Sequence, residues 1–149
     1  MTTDAPPTSA RTIYLVRQLQ LAIYARLEEV LRAHQLTPIQ YTVLSILRAR
    51  QGLSSADLAR RFSVTPQSMN ELVAVLERKG LILRQEAPEN RRVLRVSPTA
   101  EGKRLLARCD RLVDGLEAEF FADLGRGELA ALRQVLTKLL AAARRRVPA

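Results

Sequence analysis

Hydrophobic residues recur at spacings of three and four through the first part of the chain. Leu15, Leu19, Ala22, Ile23, Leu27, Val30 and Leu31 fall on one side of a single long helix beginning near Arg11. Thr37-Pro38-Ile39-Gln40 reads as an N-cap, a proline at the first helical position and a glutamine placed to close a capping box. The second helix that it opens carries Val43, Leu44 and Leu47 and should stop near Gln51-Gly52. Ser54-Ser55-Ala56-Asp57 opens a third helix in a similar way, with Leu58, Ala59 and Phe62 inward and Ser63-Val64 as the turn that ends it. Thr65-Pro66 caps a fourth, whose Met69, Leu72, Val73 and Leu76 share one stripe. Gly80 follows where a helix C-terminus favours a positive φ.

After Gly80 the period shortens. Two strands, roughly 81–85 and 92–96, flank a polar turn containing Pro88, Glu89 and Asn90. Thr99 then caps a fifth helix with Leu105, Leu106, Cys109, Leu112, Val113, Leu116 and Phe120 inward. A sixth runs from about Gly127 through Leu129, Leu132, Val135, Leu136, Leu139 and Leu140. The pattern predicts a mainly α protein of six helices with a small β-hairpin: a winged helix-turn-helix. Residues 1–10, with Pro6-Pro7 among small polar residues, are too poor in apolar surface to offset ordering and are expected to form a flexible N-terminal tail.

Charge adds a partner class. The 149 residues hold 24 Lys and Arg against 15 Asp and Glu, a formal net charge of +9 that favours polyanions such as nucleic acid or anionic lipid. Charged residues interrupt every apolar run well before the roughly 20 residues a membrane-spanning helix needs, so no membrane partner is expected. The first ten residues lack a basic segment followed by an apolar one, and a single cysteine gives no disulfide framework or cysteine-rich zinc site. Both observations point to the cytoplasm. One His, one Cys, no glycine-rich phosphate loop and no metal-spaced cluster leave no catalytic residues, metal or cofactor to assign, and argue against an enzyme.

Four stretches together carry a family resemblance: Leu36-Thr37-Pro38-Ile39-Gln40-Tyr41, Ser55-Ala56-Asp57-Leu58-Ala59, Leu76-Glu77-Arg78-Lys79-Gly80-Leu81-Ile82, and Arg91-Arg92 through Ser97-Pro98-Thr99-Ala100-Glu101-Gly102. In that order and spacing the chain resembles the MarR family of bacterial transcriptional regulators, over nearly everything from Arg11 to Arg146. The resemblance implies a homodimer joined by the N- and C-terminal helices, residues 11–36 and 98–149. Residues 37–97 would form a winged-helix DNA-binding lobe continuous with them. It further implies a repressor on a pseudo-palindromic operator of duplex DNA at the bacterial nucleoid, with activation as the variant outcome.

The third and fourth helices would then form the helix-turn-helix. Projection of the fourth at 100° per residue sets Gln67, Asn70, Glu71 and Arg78 opposite Met69, Leu72 and Val73, with Ser68 at the edge. Gln67, Ser68 and Asn70 lie in the first turns, where recognition helices reach base edges. Gln and Asn can pair with adenine, which implies some preference for A·T positions. Arg91 and Arg92 at the hairpin suit minor-groove or phosphate contacts. The family pattern has an Asp before two arginines that braces the wing by pairing with an arginine, whereas this chain has Asn90, preceded by Glu89. Either Glu89 takes over the brace or the wing tip is looser. Arg144-Arg145-Arg146 could touch phosphate or complement the helix dipole.

Many relatives respond to small aromatic or phenolic acids in a cleft where the dimer helices meet the lobe. Candidate lining residues are Tyr14, Arg17 and Tyr24 on the first helix, His34, and Tyr41 on the second. The alternative is that the tyrosines serve the core or interface, Arg17 is solvated and His34 caps the first helix. One branch of the family senses peroxide through a cysteine on the first helix. Cys109 lies instead on the inward stripe of the fifth, as a structural cysteine would, and a thiol-responsive regulator is a secondary reading. A winged-helix module that docks an acidic protein and has no specific operator is the other.

Overall fold

The computed structural model describes residues 10–146; the tail expected over residues 1–10 lies, except for Ala10, outside the described residues, as do residues 147–149. The element order is α1 (Thr12–Arg32), α2 (Pro38–Ala49), β1 (Leu53–Ser54), α3 (Ser55–Phe62), α4 (Pro66–Arg78), β2 (Ile82–Ala87), β3 (Asn90–Pro98), α5 (Ala100–Phe120) and α6 (Arg126–Arg146). This is the winged helix-turn-helix that the periodicity predicts, with six helices and a small antiparallel sheet.

Local chemistry starts the helices. The capping box at α2 closes in both directions: Gln40 N–H donates to Thr37 Oγ1 at 3.3 Å and Thr37 N–H donates to Gln40 Oε1 at 3.1 Å. At α3 the same device joins Ser54 to Asp57, whose Oδ2 accepts the Ser54 N–H at 2.9 Å. Thr65 caps α4 through the Ser68 N–H, and Thr99 caps α5 through the Gly102 N–H. Each cap satisfies a donor that the first turn leaves without an intrahelical partner, a contribution of about 1 kcal/mol. Gly80 ends the α4 segment with φ +72°, as its position in the sequence predicts.

Two features of the sheet differ from expectation. It has three strands in the order β1-β3-β2, because Leu53 and Ser54 pair with Val96 and Arg95. Two residues carry no readable period, and the pairing that makes them a strand comes from distant sequence. The hairpin is also longer than expected, with Ile82 opposite Pro98 at its base and only Pro88 and Glu89 in the turn.

The core lies in the winged-helix lobe, where Leu44, Leu47, Leu58, Met69, Val73, Leu76, Ile82 and Val96 are sealed beneath Leu106 and Cys109 of α5 and Leu31 of α1. The remainder of the apolar pattern is only partly covered. Leu112, expected inward, is exposed, since the apolar stripe of α5 is wider than what α1 and α2 cover within one chain. Leu31 is the only residue of α1 that is buried, and α6 buries none. Ile13 is 78% exposed and Leu139 and Leu140 are 56% and 59% exposed, so the stripes of both terminal helices face outward from the single chain.

Candidate nucleic-acid interface

The helix-turn-helix is set by a tight turn. Ser63 takes the left-handed conformation at φ 52°, and the chain reverses through Val64 into the Thr65 cap. Met69, Val73 and Leu76 then anchor α4 in the core and leave its far side outward. Gln67, Ser68, Asn70, Glu71 and Arg78 are all exposed there, as the helical projection predicts. Their polar atoms are ordered by neighbours. The Ser55 hydroxyl donates to Asn70 Oδ1 at 2.6 Å, the Thr65 hydroxyl to Ser68 Oγ at 2.9 Å, and Gln67 Nε2 to Glu71 Oε1 at 3.4 Å. Asn70 therefore keeps its amide N–H groups available to donate. Arg78 stands eight residues beyond it, about 12 Å along the helix axis.

The wing leaves α4 at Gly80 and is tied back to it. Glu77 Oε2 accepts both Nε and Nη2 of Arg84, at 3.0 and 2.6 Å. At the tip the ladder passes from Glu86 opposite Leu94 to Ala87 opposite Asn90. Arg91, Arg92 and Val93 thus have no partner on β2 and bulge out of the hairpin, a device that re-aims side chains. Both arginines are exposed. Asn90 Oδ1 accepts the Arg92 N–H at 3.1 Å, holding the bulge locally. The charge that Asn90 cannot supply comes from Glu89, which forms an ion pair with Arg95. Of the two alternatives left open by the sequence, Glu89 takes over the brace. Glu77, Arg84 and Arg95 are positioning residues that the sequence reading did not single out.

A profile of the MarR family matches residues 34–93. The HTH-type transcriptional repressor Rv2887 of Mycobacterium tuberculosis strain H37Rv is 32% identical over 126 residues, which cover 85% of this chain and 91% of that protein. The chain belongs to the MarR family. The structure of the M. tuberculosis MarR family protein Rv2887 in complex with p-aminosalicylic acid matches with a TM-score of 0.73 at 31% identity, over 87% of this chain and 98% of that one. The transcriptional repressor CouR bound to a 23-mer DNA duplex matches with a TM-score of 0.81 at 27% identity, over 87% and 92%. A mutant MarR from Escherichia coli complexed with operator DNA matches with a TM-score of 0.77 at 26% identity, over 85% and 91%.

The candidate effector residues of this MarR-family chain fall into two groups. Tyr14, Arg17 and Tyr24 share one side of α1 and are exposed. Tyr41 is half-buried elsewhere: its hydroxyl donates to Asp110 Oδ1 of α5 at 2.7 Å, and Arg48 Nη1 donates to Asp110 Oδ2 at 2.6 Å. Burial first, then the Asp110 hydrogen bond and charge, push the Tyr41 pKa up to about 12. A cleft of about 200 Å³ at the α1–α2 corner is lined by Glu28, Arg32, Gln35, Leu36, Thr37, Gln40 and Lys79, and another of about 410 Å³ lies between α5 and α6. Neither is lined by the four candidates, which one chain does not bring together. His34 follows the last turn of α1, its backbone N–H donating to Leu31 O at 3.0 Å.

Cys109 is fully buried, and burial raises its thiol pKa. The inward position predicted for it is the one observed. Among the described residues no group of three or more His, Cys, Asp or Glu side chains is placed to hold a metal, and no helix is long and apolar enough to cross a membrane.

Proposed function

We propose that this protein is a homodimeric transcriptional repressor that binds a pseudo-palindromic operator and is released from it by a small aromatic or phenolic acid. Each protomer inserts α4 into a major groove, with Gln67, Ser68 and Asn70 at base edges and Arg78 toward the backbone. Arg91 and Arg92 engage phosphates or the adjoining minor groove. The observation that carries the reading is the pairing of an outward polar face on α4 with two bulged wing arginines, locked to one another by Glu77 and Arg84. DNA-bound relatives of the same fold support it.

The outward apolar stripes of α1 and α6 support dimerisation through residues 11–36 and 98–149, with residues 37–97 as the reading lobe. Two lobes must stand about 34–36 Å apart to enter successive major grooves on one face of the duplex. A ligand that binds better to a differently spaced dimer shifts the population away from DNA. The relative that binds p-aminosalicylic acid supports a carboxylated ring as effector. Arg17, with Tyr14 and Tyr24 on the same face, offers such a ring a charge-assisted hydrogen bond and stacking surfaces. Tyr41 would join them only by exchanging its bond to Asp110. The setting is the bacterial cytoplasm at the nucleoid, and the role is binding rather than catalysis.

Selection of duplexes from a random pool by the purified full-length protein tests the proposal. Enrichment of an inverted repeat is expected, with half-site centres one helical turn apart. Binding should weaken with salt, and less steeply after Arg91→Ala with Arg92→Ala. Equal affinity for enriched and random DNA would reduce the protein to a module that docks polyanions or acidic proteins without an operator.

A further inference from the structure

One charge on the reading face runs against the rest. Glu71 is exposed in the second turn of α4, between Gln67 and Arg78 on the same outward stripe. A carboxylate there repels phosphate and weakens any binding that depends on charge alone. Three other acids of the lobe are paired with arginines, Asp57 with Arg60, Glu77 with Arg84 and Glu89 with Arg95, and Glu86 lies away from α4 on the exposed part of β2. Glu71 enters no ion pair found among the described residues. It accepts the Gln67 amide N–H at 3.4 Å instead, through Oε1, which leaves the second carboxylate oxygen available as a hydrogen-bond acceptor.

The neighbouring groups sharpen the contrast. With its Oδ1 held by Ser55, Asn70 is presented as a donor. Gln67 has one N–H turned to Glu71 and keeps its other N–H and its Oε1 for a base. Glu71 is thus the one group of the three that can only accept, beside a donor at Asn70 and a Gln67 amide that can do both. In the major groove an acceptor without a donor beside it matches an exocyclic amino group. Adenine N6 has the acceptor N7 next to it on the same base, which repels a carboxylate. Cytosine N4 does not.

Resting on the DNA-binding reading above, we infer that Glu71 is a specificity-determining residue that accepts a hydrogen bond from cytosine N4 at one position of each half-site, with Gln67 as the residue that positions it. It exchanges general affinity for discrimination: the wrong base leaves a desolvated carboxylate without a donor. The loss of preference at that position on removing Glu71 should be roughly 5- to 150-fold, the range of one good base contact.

Parallel random-pool selections with the full-length wild type, Glu71→Ala, Glu71→Gln and Gln67→Ala test the inference, with thermal melting to confirm that these exposed changes leave the fold intact. The wild type should fix cytosine at one position in each half-site. Glu71→Ala should keep the rest of the consensus, accept any base there and bind random duplex more tightly. Glu71→Gln, now both donor and acceptor, should admit adenine, and Gln67→Ala should blur the same position less. An unchanged consensus for Glu71→Ala overturns the inference while the DNA-binding reading stands. A wild type that enriches no sequence overturns both.

Discussion

Glu77 near the end of α4 receives two hydrogen bonds from the Arg84 guanidinium on β2, both at the same carboxylate oxygen. The two residues lie on either side of Gly80, whose positive φ turns the chain from helix to strand. Backbone geometry sets the direction of that turn, and the ion pair holds the wing at a fixed angle to the helix. Two surfaces that must meet the same duplex are thereby coupled within one lobe.

Glu77→Ala should therefore weaken DNA binding although Glu77 lies on no proposed DNA-contacting surface. Arg84 is about 29% and Glu77 about 38% exposed, so the loss of stability should be modest, about 1 kcal/mol. A drop of a few degrees in thermal midpoint should accompany a clear fall in affinity, with the selected half-site unchanged. Equal affinity for wild type and variant would mean that the wing is oriented by its backbone alone.

Tyr41 supplies a pH test. Its pKa lies above the ordinary tyrosine value of 10.0, at about 12, because burial and then Asp110 disfavour the phenolate. The folded state thus holds the proton more tightly than the unfolded one. The contribution to stability is complete below pH 10 and is lost as pH rises from 10 toward 12. Phenolate absorbance of the native protein should show a component near pH 12 that Tyr41→Phe removes and Asp110→Asn moves downward. A native titration lacking that late component would show that the α2–α5 bridge does not persist in solution.

Cys109 should be inert. It is fully buried between Leu106 and Val113 on the α5 stripe, and its raised thiol pKa leaves little thiolate at neutral pH. A disulfide reagent should label it only after denaturation. Cys109→Ser should cost about 1–3 kcal/mol through burial of a hydroxyl, and peroxide should leave DNA binding unaffected in both proteins. Release of DNA by peroxide from the wild type and not from Cys109→Ser would restore the thiol-switch reading.

What the sequence made legible is what short-range chemistry decides. Thr37 with Gln40 and Ser54 with Asp57 announce their helices within four residues, and Gly80 announces its turn. The outward face of α4 follows from periodicity once its buried stripe is recognised. Long-range pairing was opaque. β1 exists because Leu53 meets Val96, and Tyr41 is placed by Asp110, 69 residues away. The Arg91–Val93 bulge depends on hairpin register, and no composition signal reports it. Gly102 belongs to a recognisable stretch, but its reason is spatial: a Cβ there would lie 2.1 Å from Leu81 O. Periodicity also identified the apolar faces of α1 and α6 without saying what covers them.

That last point yields the most direct prediction. Leu139 and Leu140 are more than half exposed on α6, and Ile13, Tyr14 and Val16 are at least half exposed on α1. Such a surface on both terminal helices is larger than scattered exposed leucines would account for, and it marks an interface. Leu139→Glu combined with Leu140→Glu should leave the fold of each protomer intact, because neither side chain contributes to the lobe core. In the proposed dimer the same changes bury four carboxylates, and light scattering should report monomers. Operator affinity should then fall by roughly 10²- to 10⁴-fold, since the second half-site no longer benefits from the effective concentration supplied by the first. The isolated half-site should be bound as weakly by the wild-type lobe as by the variant. A wild type already monomeric at working concentration, or a doubly charged variant that remains dimeric, would place the interface elsewhere and remove the basis for groove spacing.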